Sequence, residues 1–260
     1  ELEDWVGARL LHRTTRKLSL TAAGGETLPR CRQLLDLCGD MQAAVSEPDD
    51  APRGLLRLSV STSFGQAQLG AAIAEYVKLY PLVTVDLQML DRTVNLVDER
   101  IDLAIRITND LDTNLIARKF GDCPSVICAA PAYLAAHGTP QRPEDLGLHN
   151  CLTYSYFERS LWEFDSSTGE RISVPVGGNL SANESQVLLA AAVQGAGIAL
   201  QPAYATARML ESGQLVALLP AFRPQALGIH AVFQSRRQMP TVLRTLLDFL
   251  ALRFAVLSGR

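Results

Sequence analysis

Residues 2–24 read LEDWVGARLLHRTTRKLSLTAAG, and this stretch decides how the rest of the chain is interpreted. Residues 1–6 predict the tail of a helix that ends near Gly7, because glycine commonly follows a helix C-terminus. Two short extended segments, 10–13 and 17–20, flank a polar turn and predict a small β-hairpin, or wing. The hairpin has no acid between residues 9 and 17 and holds four cations, which are Arg9, Arg13, Arg16 and Lys17. A local basic surface is therefore expected although the formal net charge of the chain is -3.

A long helix and a linker follow the hairpin. Apolar residues recur at helical spacing from Leu28 to Met41, so the sequence predicts a helix over 21–46 with an apolar stripe suited to pairing with a second helix. Residues 47–53 read EPDDAPR, and their two prolines disfavour both helix and strand. We interpret 47–53 as a linker.

Strand and helix patterns alternate after the linker, which indicates an α/β fold built from parallel βαβ units. The predicted strands are 56–60, 83–89, 103–107, 126–129, 151–154, 198–200 and 229–233, and the predicted helices are 66–79, 94–99, 132–136, 184–194, 203–211 and 241–254. The last strand and helix are expected to return to the first unit. Such a chain forms two lobes with a hinged cleft between them.

Three motifs resemble LysR-type transcriptional regulators. Leu2, Glu3, Gly7, Leu10, Arg13, Leu20, Thr21 and Gly24 match in register the end of the family's winged helix-turn-helix. CAAPAYLAAHG at 128–138 and AAAVQGAGIALQP at 190–202 are similar to the entry to its second lobe and to a later strand approach. Near the end, Phe233-Gln234-Ser235-Arg236 departs from the family, which often has Pro before Ser.

The resemblance implies a truncated winged helix-turn-helix at 1–20, a linker and dimerisation helix at 21–46, and a linker at 47–53. It further implies a two-lobed effector domain like periplasmic binding proteins, with two Rossmann-like βα lobes. Lobe I comprises 54–122 and 234–260, and lobe II comprises 123–233. The implied partners are double-stranded promoter DNA, a small-molecule effector, a homodimer or homotetramer partner, and RNA polymerase as a further candidate.

The wing is the predicted DNA contact. A basic turn suits phosphate oxygens, and threonine hydroxyls can donate to them. The predicted DNA-binding residues are Arg9, Arg13, Thr14, Thr15, Arg16 and Lys17. The alternative is that this turn is only a solvated surface.

The predicted effector site lies where strands of both lobes end, because open α/β sheets bind ligands at the carboxyl ends of their strands. Arg92 and Arg106 are candidates to grip a carboxylate, with a surface salt bridge to Asp91 or Asp102 as the alternative. The predicted effector-binding residues are Ser61, Thr62, Ser63, Phe64, Arg92, Arg106, Thr153, Tyr154, Asn183, Gln201 and Pro202. The run at 61–63 has helix N-capping as its alternative role. The effector is expected to be small and organic, carboxylated or aromatic.

Other protein classes fit the sequence less well. The chain has no GxSxG elbow, HExxH motif or phosphate-binding glycine loop, so we predict neither an enzyme nor a cofactor. Five cysteines without a CxxC pair predict no disulfide framework and no metal site, and favour a cytoplasmic protein. A redox pair of Cys123 and Cys128 stays a minor alternative. A periplasmic solute-binding protein would share the lobes but not the basic wing, and no segment predicts a membrane span.

Overall fold

The structure is a computed structural model that describes residues 2–13, 18–45, 51–111, 115–155, 160–165, 171–234 and 239–257. Its strands are β1 (Leu11–Arg13), β2 (Leu18–Leu20), β3 (Gly54–Val60), β4 (Val83–Met89), β5 (Leu103–Ile107), β6 (Ile116–Cys123), β7 (Ser125–Ala129), β8 (Cys151–Tyr154), β9 (Leu161–Asp165), β10 (Arg171–Pro175), β11 (Ser181–Ala182), β12 (Ile198–Pro202), β13 (Val216–Ala217), β14 (Arg223–Pro224) and β15 (Leu227–Phe233). Its α-helices are α1 (Leu2–Val6), α2 (Ala22–Val45), α3 (Thr62–Phe64), α4 (Gly70–Leu79), α5 (Pro131–His137), α6 (Ser185–Val193), α7 (Ala203–Glu211) and α8 (Thr241–Leu257). A π-helical segment (Gly65–Leu69) joins α3 to α4, and a 3₁₀ helix covers Pro143–Leu148.

The N-terminal elements match their sequence pattern. Helix α1 ends at Val6 and is followed by Gly7, whose φ of 73° is the left-handed conformation that glycine adopts at little cost. Strands β1 and β2 pair in an antiparallel hairpin that aligns Leu11 with Leu20. Helix α2 then runs for 24 residues and includes Pro29. The structure therefore contains the two short strands and the long helix that the sequence predicted.

The first lobe is built on a five-stranded sheet in the order β4-β3-β5-β15-β6. β3 pairs in parallel with both β4 and β5, whereas β15 is antiparallel to β5 and β6. Its main core packs the sheet against α4 and α8, with Leu58, Tyr76 and Leu246 fully buried. The apolar residues at alternate positions of β3 and those at helical spacing on α4 both contribute to this core.

The second lobe contains a five-stranded sheet in the order β11-β8-β12-β7-β13 and a smaller sheet in the order β10-β9-β14. Strands β11, β8 and β12 are parallel, so their carboxyl ends meet at one edge. Apolar side chains alternate along β12. Ile198 joins the core on one face, and Ala199 joins a core with Leu188 and Leu189 of α6 on the other.

The chain crosses between the lobes twice, and the two crossing segments lie side by side. The chain leaves the first sheet at the end of β6 and enters the second at β7, and it returns through β14 to β15. Leu227 of the return crossing pairs with Cys123 of the outward crossing. The return therefore begins at β15, seven residues before the expected boundary at 234.

The structure corrects parts of the predicted element order. The predicted helix at 94–99 is wrong, since these residues form hydrogen-bonded turns. The Asn95 side chain accepts hydrogen bonds from the backbone amides of Val97 and Asp98, and this local bonding competes with a helix. The sheet of β9, β10 and β14 was not predicted, and β7 is antiparallel to β12 where parallel units were expected. Within the described residues, no helix combines the length and apolarity needed to cross a membrane.

Candidate ligand cleft and nucleic-acid interface

Four of the eight N-terminal motif residues hold the hairpin against its flanking helices. The Glu3 carboxylate accepts hydrogen bonds from the amides of Leu10 (2.7 Å) and Leu11 (3.1 Å). Thr21 Oγ1 donates to the Arg9 carbonyl (2.6 Å) and accepts from the Gly24 amide (2.9 Å), so Thr21 caps α2. A Cβ on Gly24 would lie 2.0 Å from the Leu10 carbonyl oxygen. We call these contacts of Glu3, Leu10, Thr21 and Gly24 the clasp. The clasp fixes the hairpin relative to α1 and α2.

Two of the predicted DNA-binding residues, Arg9 and Arg13, lie in the described part of the chain. Arg9 is exposed next to the hairpin, and Arg13 ends β1, where it pairs with Leu18. Thr14, Thr15, Arg16 and Lys17 lie outside the described residues. Their expected contact with phosphate therefore stays a prediction from the sequence.

The lobe I wall of the cleft is formed by the residues that follow β3 and β4. Thr62 Oγ1 donates to Asp91 Oδ2 (2.6 Å), so the start of α3 is bound to the loop after β4. Ser61 precedes α3 in the N-cap position but makes no side-chain capping hydrogen bond. Behind this edge, Arg106 donates to Ser59 Oγ (3.0 Å) and to the Ile105 carbonyl (3.1 Å).

Burial lowers the pKa of Arg106, while the charges of Asp91 and Glu99 oppose this change. Asp91 and Arg106 are thus electrostatically coupled across the end of the sheet. An arginine keeps its positive charge in a protein, so Arg106 is a fixed, partly buried cation at the lobe I wall.

The lobe II wall is formed by the carboxyl ends of β8, β11 and β12. Tyr154 ends β8 and pairs with Ala182 of β11, while Gln201 near the end of β12 is only 1% exposed. Glu184 caps α6, because its Oε2 accepts from the Val187 amide (3.2 Å). Tyr204 lies in the first turn of α7.

Two hydrogen bonds cross directly from one wall to the other. Ser63 Oγ and Tyr204 Oη lie 3.0 Å apart, and Tyr154 Oη donates to Asp91 Oδ1 (3.4 Å). The Tyr204 ring also packs edge-on against Phe64, with 5.6 Å between ring centroids. Burial raises the pKa of the Tyr204 hydroxyl, the bond to Ser63 lowers it, and the nearby charges of Asp91 and Glu184 raise it further. The two walls therefore meet through polar groups.

Three buried side-chain atoms in the described part of the chain have no hydrogen-bond partner: Glu184 Oε1, Ser185 Oγ and Gln201 Oε1. All three belong to the lobe II wall. An unpartnered buried polar atom costs about 1–3 kcal/mol. Their concentration at one edge distinguishes this edge from the packed core.

The remaining predicted effector residues occupy different positions. Phe64 is 1% exposed and packs on Phe254 in the lobe I core. Arg92 is about half exposed and pairs with Glu99 (2.8 Å between Nη1 and Oε1). Thr153 is buried in β8, Pro202 precedes α7, and Asn183 is exposed ahead of α6. Of the predicted effector-binding residues, the two walls thus contain Thr62, Ser63, Arg106, Tyr154 and Gln201.

Asp91 and Tyr204 were not predicted as lining residues. Asp91 lies just past β4. The rule that ligands bind at the carboxyl ends of strands therefore applied to Asp91 as well as to Arg92. Tyr204 carried no such signal, because its contact depends on how one lobe lies against the other.

The cysteines show no redox pair in the part of the chain that the structure describes. Cys123 belongs to the lobe I core and Cys128 to a lobe II core, which argues against a disulfide between them. Burial raises the pKa of Cys123 to about 11 and those of Cys128 and Cys151 to about 12. All three are packing residues in the thiol form.

Comparison with known proteins gives a consistent result. The family model described as "LysR substrate binding domain" matches residues 49–255. The "HTH-type transcriptional regulator DmlR" of Escherichia coli strain K12 is 32% identical over 256 residues, which are 98% of this chain and 83% of that protein. The structure of CrgA, a LysR-type transcriptional regulator from Neisseria meningitidis, superposes with a TM-score of 0.68 at 28% identity and covers 97% of this chain and 86% of CrgA. The Vibrio cholerae virulence activator AphB, a member of the LTTR protein family, gives a TM-score of 0.68 at 28% identity, over 96% of this chain and 85% of AphB.

These similarities span the basic hairpin and long helix as well as both lobes. They support a DNA-binding regulator with an effector-binding domain, and they exclude an enzyme or a solute receptor as the protein class. The chain belongs to the LysR family of transcriptional regulators.

Proposed function

We propose that this regulator senses a small organic metabolite in the cleft between its lobes and that the bound metabolite alters its binding to, or bending of, promoter DNA. The observation that carries the proposal is the pair of hydrogen bonds across the cleft, Ser63 to Tyr204 and Tyr154 to Asp91. A ligand that binds between these walls must change their contacts, and it shifts the lobes by its different affinity for the two arrangements.

The proposed site follows the strand ends of both lobes. Arg106 provides the cation for a carboxylate, and Ser61, Thr62 and Ser63 provide hydroxyl groups beside it. On lobe II, Thr153, Tyr154, Asn183, Gln201 and Pro202 form the opposite wall. Arg92 and Phe64 act from the periphery, since Arg92 is paired with Glu99 and Phe64 supports the Tyr204 ring. A carboxylated or aromatic metabolite suits this set of groups.

We propose lobe I as residues 54–123 and 227–257, and lobe II as 125–224, from the sheets to which the strands belong. The hairpin and α1 form the DNA-facing part, and α2 pairs two copies into a homodimer or homotetramer. The exposure of Leu34 and Leu37 on α2 supports that pairing. The cytoplasm is the proposed compartment, and RNA polymerase is a candidate partner on the promoter.

Thermal-shift screening of metabolite classes tests the sensing role. At least one small molecule is expected to raise the Tm of the native sequence but not that of Arg106→Met, which removes the buried cation and keeps a long side chain. The matched control is Arg171→Met on β10 of lobe II, which should respond like the native sequence. Equal stabilisation of the Arg106→Met variant would contradict binding at this cleft.

A second experiment tests the hairpin. Each phosphate contact contributes about 0.9 to the slope of the logarithm of the DNA-binding constant against the logarithm of the salt concentration. Arg16→Ala is therefore expected to weaken binding uniformly across DNA sequences and to reduce that slope by about one contact. Arg223→Ala in lobe II is the control, and an unchanged slope for Arg16→Ala would argue against a phosphate contact.

A further inference from the structure

The unpartnered atoms of the lobe II wall are mainly hydrogen-bond acceptors. Glu184 Oε1 belongs to a carboxylate and Gln201 Oε1 to an amide carbonyl, so neither can donate, while Ser185 Oγ can accept as well as donate. A ligand that satisfies them must bring donors. A carboxylate brings only acceptors and would leave Glu184 Oε1 and Gln201 Oε1 unpaired.

These atoms share one part of the lobe. Gln201 lies two residues after Ala199 on β12, so its side chain projects to the same sheet face as Ala199, which packs against Leu188 and Leu189 of α6. Glu184 and Ser185 start that same helix. Gln201 is 1% exposed, so water outside the protein does not compensate for its unpaired carbonyl oxygen.

The start of α6 is already occupied by an anionic group. The N-terminus of a helix attracts negative charge, but here the Glu184 carboxylate takes that role by accepting from the Val187 amide. A second carboxylate at this point would be repelled by Glu184. The lobe II wall is therefore unsuited to the acid group of a ligand.

The charges around the cleft lead to the same conclusion. Arg92 and Glu99 pair with each other, and Arg106 interacts with Asp91 at the lobe I wall. Within the described part of the chain, Glu184 forms no salt bridge. A cationic group of the ligand would balance the charge of the Glu184 carboxylate.

We propose that the lobe II wall binds a primary ammonium group, so that the effector is a small amine or amino acid held by Glu184, Ser185 and Gln201. An ammonium group carries three donors, which equals the number of unpartnered atoms. In an amino acid the carboxylate faces Arg106 on lobe I and the ammonium faces lobe II. This inference rests on the proposed sensing role of the cleft and names the chemistry of its ligand.

Matched pairs of probes separate the two ligand groups. The protein is titrated with 4-aminobutyrate against butyrate, 5-aminovalerate against valerate, and with putrescine, at equal ionic strength, and Tm and Kd are measured. Ammonium-bearing probes are expected to raise the Tm more than the acids that lack the amine. Glu184→Gln and Gln201→Leu should each weaken amine binding by about tenfold or more, because a hydrogen bond to a charged group is lost in a buried site. Glu211→Gln at the exposed end of α7 is the matched control and should bind like the native sequence.

Three outcomes would overturn the inference. Butyrate and valerate could stabilise the protein as well as their amino counterparts, Glu184→Gln could leave amine binding unchanged, or no ammonium-bearing probe could shift the Tm. The proposed sensing role survives the first outcome if that stabilisation disappears in Arg106→Met. Both proposals fail if stabilisation by every probe is insensitive to Arg106, Glu184 and Gln201.

Discussion

Single hydroxyl groups hold the two walls of the cleft together at the residue scale. Ser63 is 4% exposed, and its hydroxyl shares one hydrogen bond with the hydroxyl of the partly buried Tyr204. The sequence predicted Arg106, Tyr154 and Gln201 from the carboxyl ends of strands, and Ser63 from its position at the start of the helix that follows the first strand. It could not predict Tyr204, because its partner lies 141 positions earlier in the chain and on the other lobe.

Removing the Tyr204 hydroxyl tests this contact. Tyr204→Phe keeps the ring packing on Phe64 but leaves Ser63 without its partner, so the free energy of unfolding is expected to fall by about 1 kcal/mol. Urea denaturation measures the difference. Tyr80→Phe, whose ring packs on Tyr76 within lobe I, is the control and should change stability less. A Tyr204→Phe variant as stable as the native protein would show that the interlobe bond contributes nothing.

Thiol reactivity tests the assignment of the lobe cysteines to packing. The raised pKa values of Cys123, Cys128 and Cys151 leave about one thiol in a thousand or fewer ionised at pH 8, and burial also excludes reagents. Iodoacetamide followed by mass spectrometry should therefore modify exposed Cys38 rapidly and these three only after denaturation. Rapid labelling of Cys123 or Cys128 in the folded protein would reopen the redox alternative.

At the scale of elements, the clasp between α1, the hairpin and α2 explains the N-terminal motif. Glu3, Leu10, Thr21 and Gly24 were recognised as a pattern, and the structure shows them bonding or packing at one junction. Helices and strands with strong periodicity were predicted almost to the residue, as with residues 203–211, which form α7. The shortest strands were not predicted. The two-residue strands β11, β13 and β14 exist only because neighbouring strands pair with them.

Two adjacent glycines provide a sharp test of the clasp. Gly24→Ala places a methyl group 2.0 Å from the Leu10 carbonyl oxygen, so backbone must move and the hairpin should separate from α2. Hydrogen exchange at the Leu10 and Thr21 amides is expected to accelerate. Gly25→Ala is the matched control, because nothing lies within 4 Å of its added Cβ and alanine favours a helix by up to about 1 kcal/mol. Equal exchange rates in the two variants would contradict the clasp.

At the scale of the whole molecule, the two large sheets are joined by two crossings, and Leu227 of one crossing pairs with Cys123 of the other. The alternation of strands and helices predicted these lobes and their cleft. The pattern could not reveal which polar groups face each other across the cleft, since this depends on the angle between lobes and not on local sequence. Asp91 illustrates the difference: it bonds to Thr62 within lobe I and to Tyr154 of lobe II.

Hydrogen–deuterium exchange with a stabilising small molecule tests the central claim most directly. Binding in the cleft should protect the amides of residues 61–65 on lobe I and 201–206 on lobe II together, because both walls close on one ligand. A different site is available on lobe I, a cavity of about 380 Å³ lined by Arg118, Phe233, Met239 and Arg244, with Ala117 and Leu247. Protection confined to the peptides around that cavity, with no change at either wall, would contradict ligand sensing between the lobes.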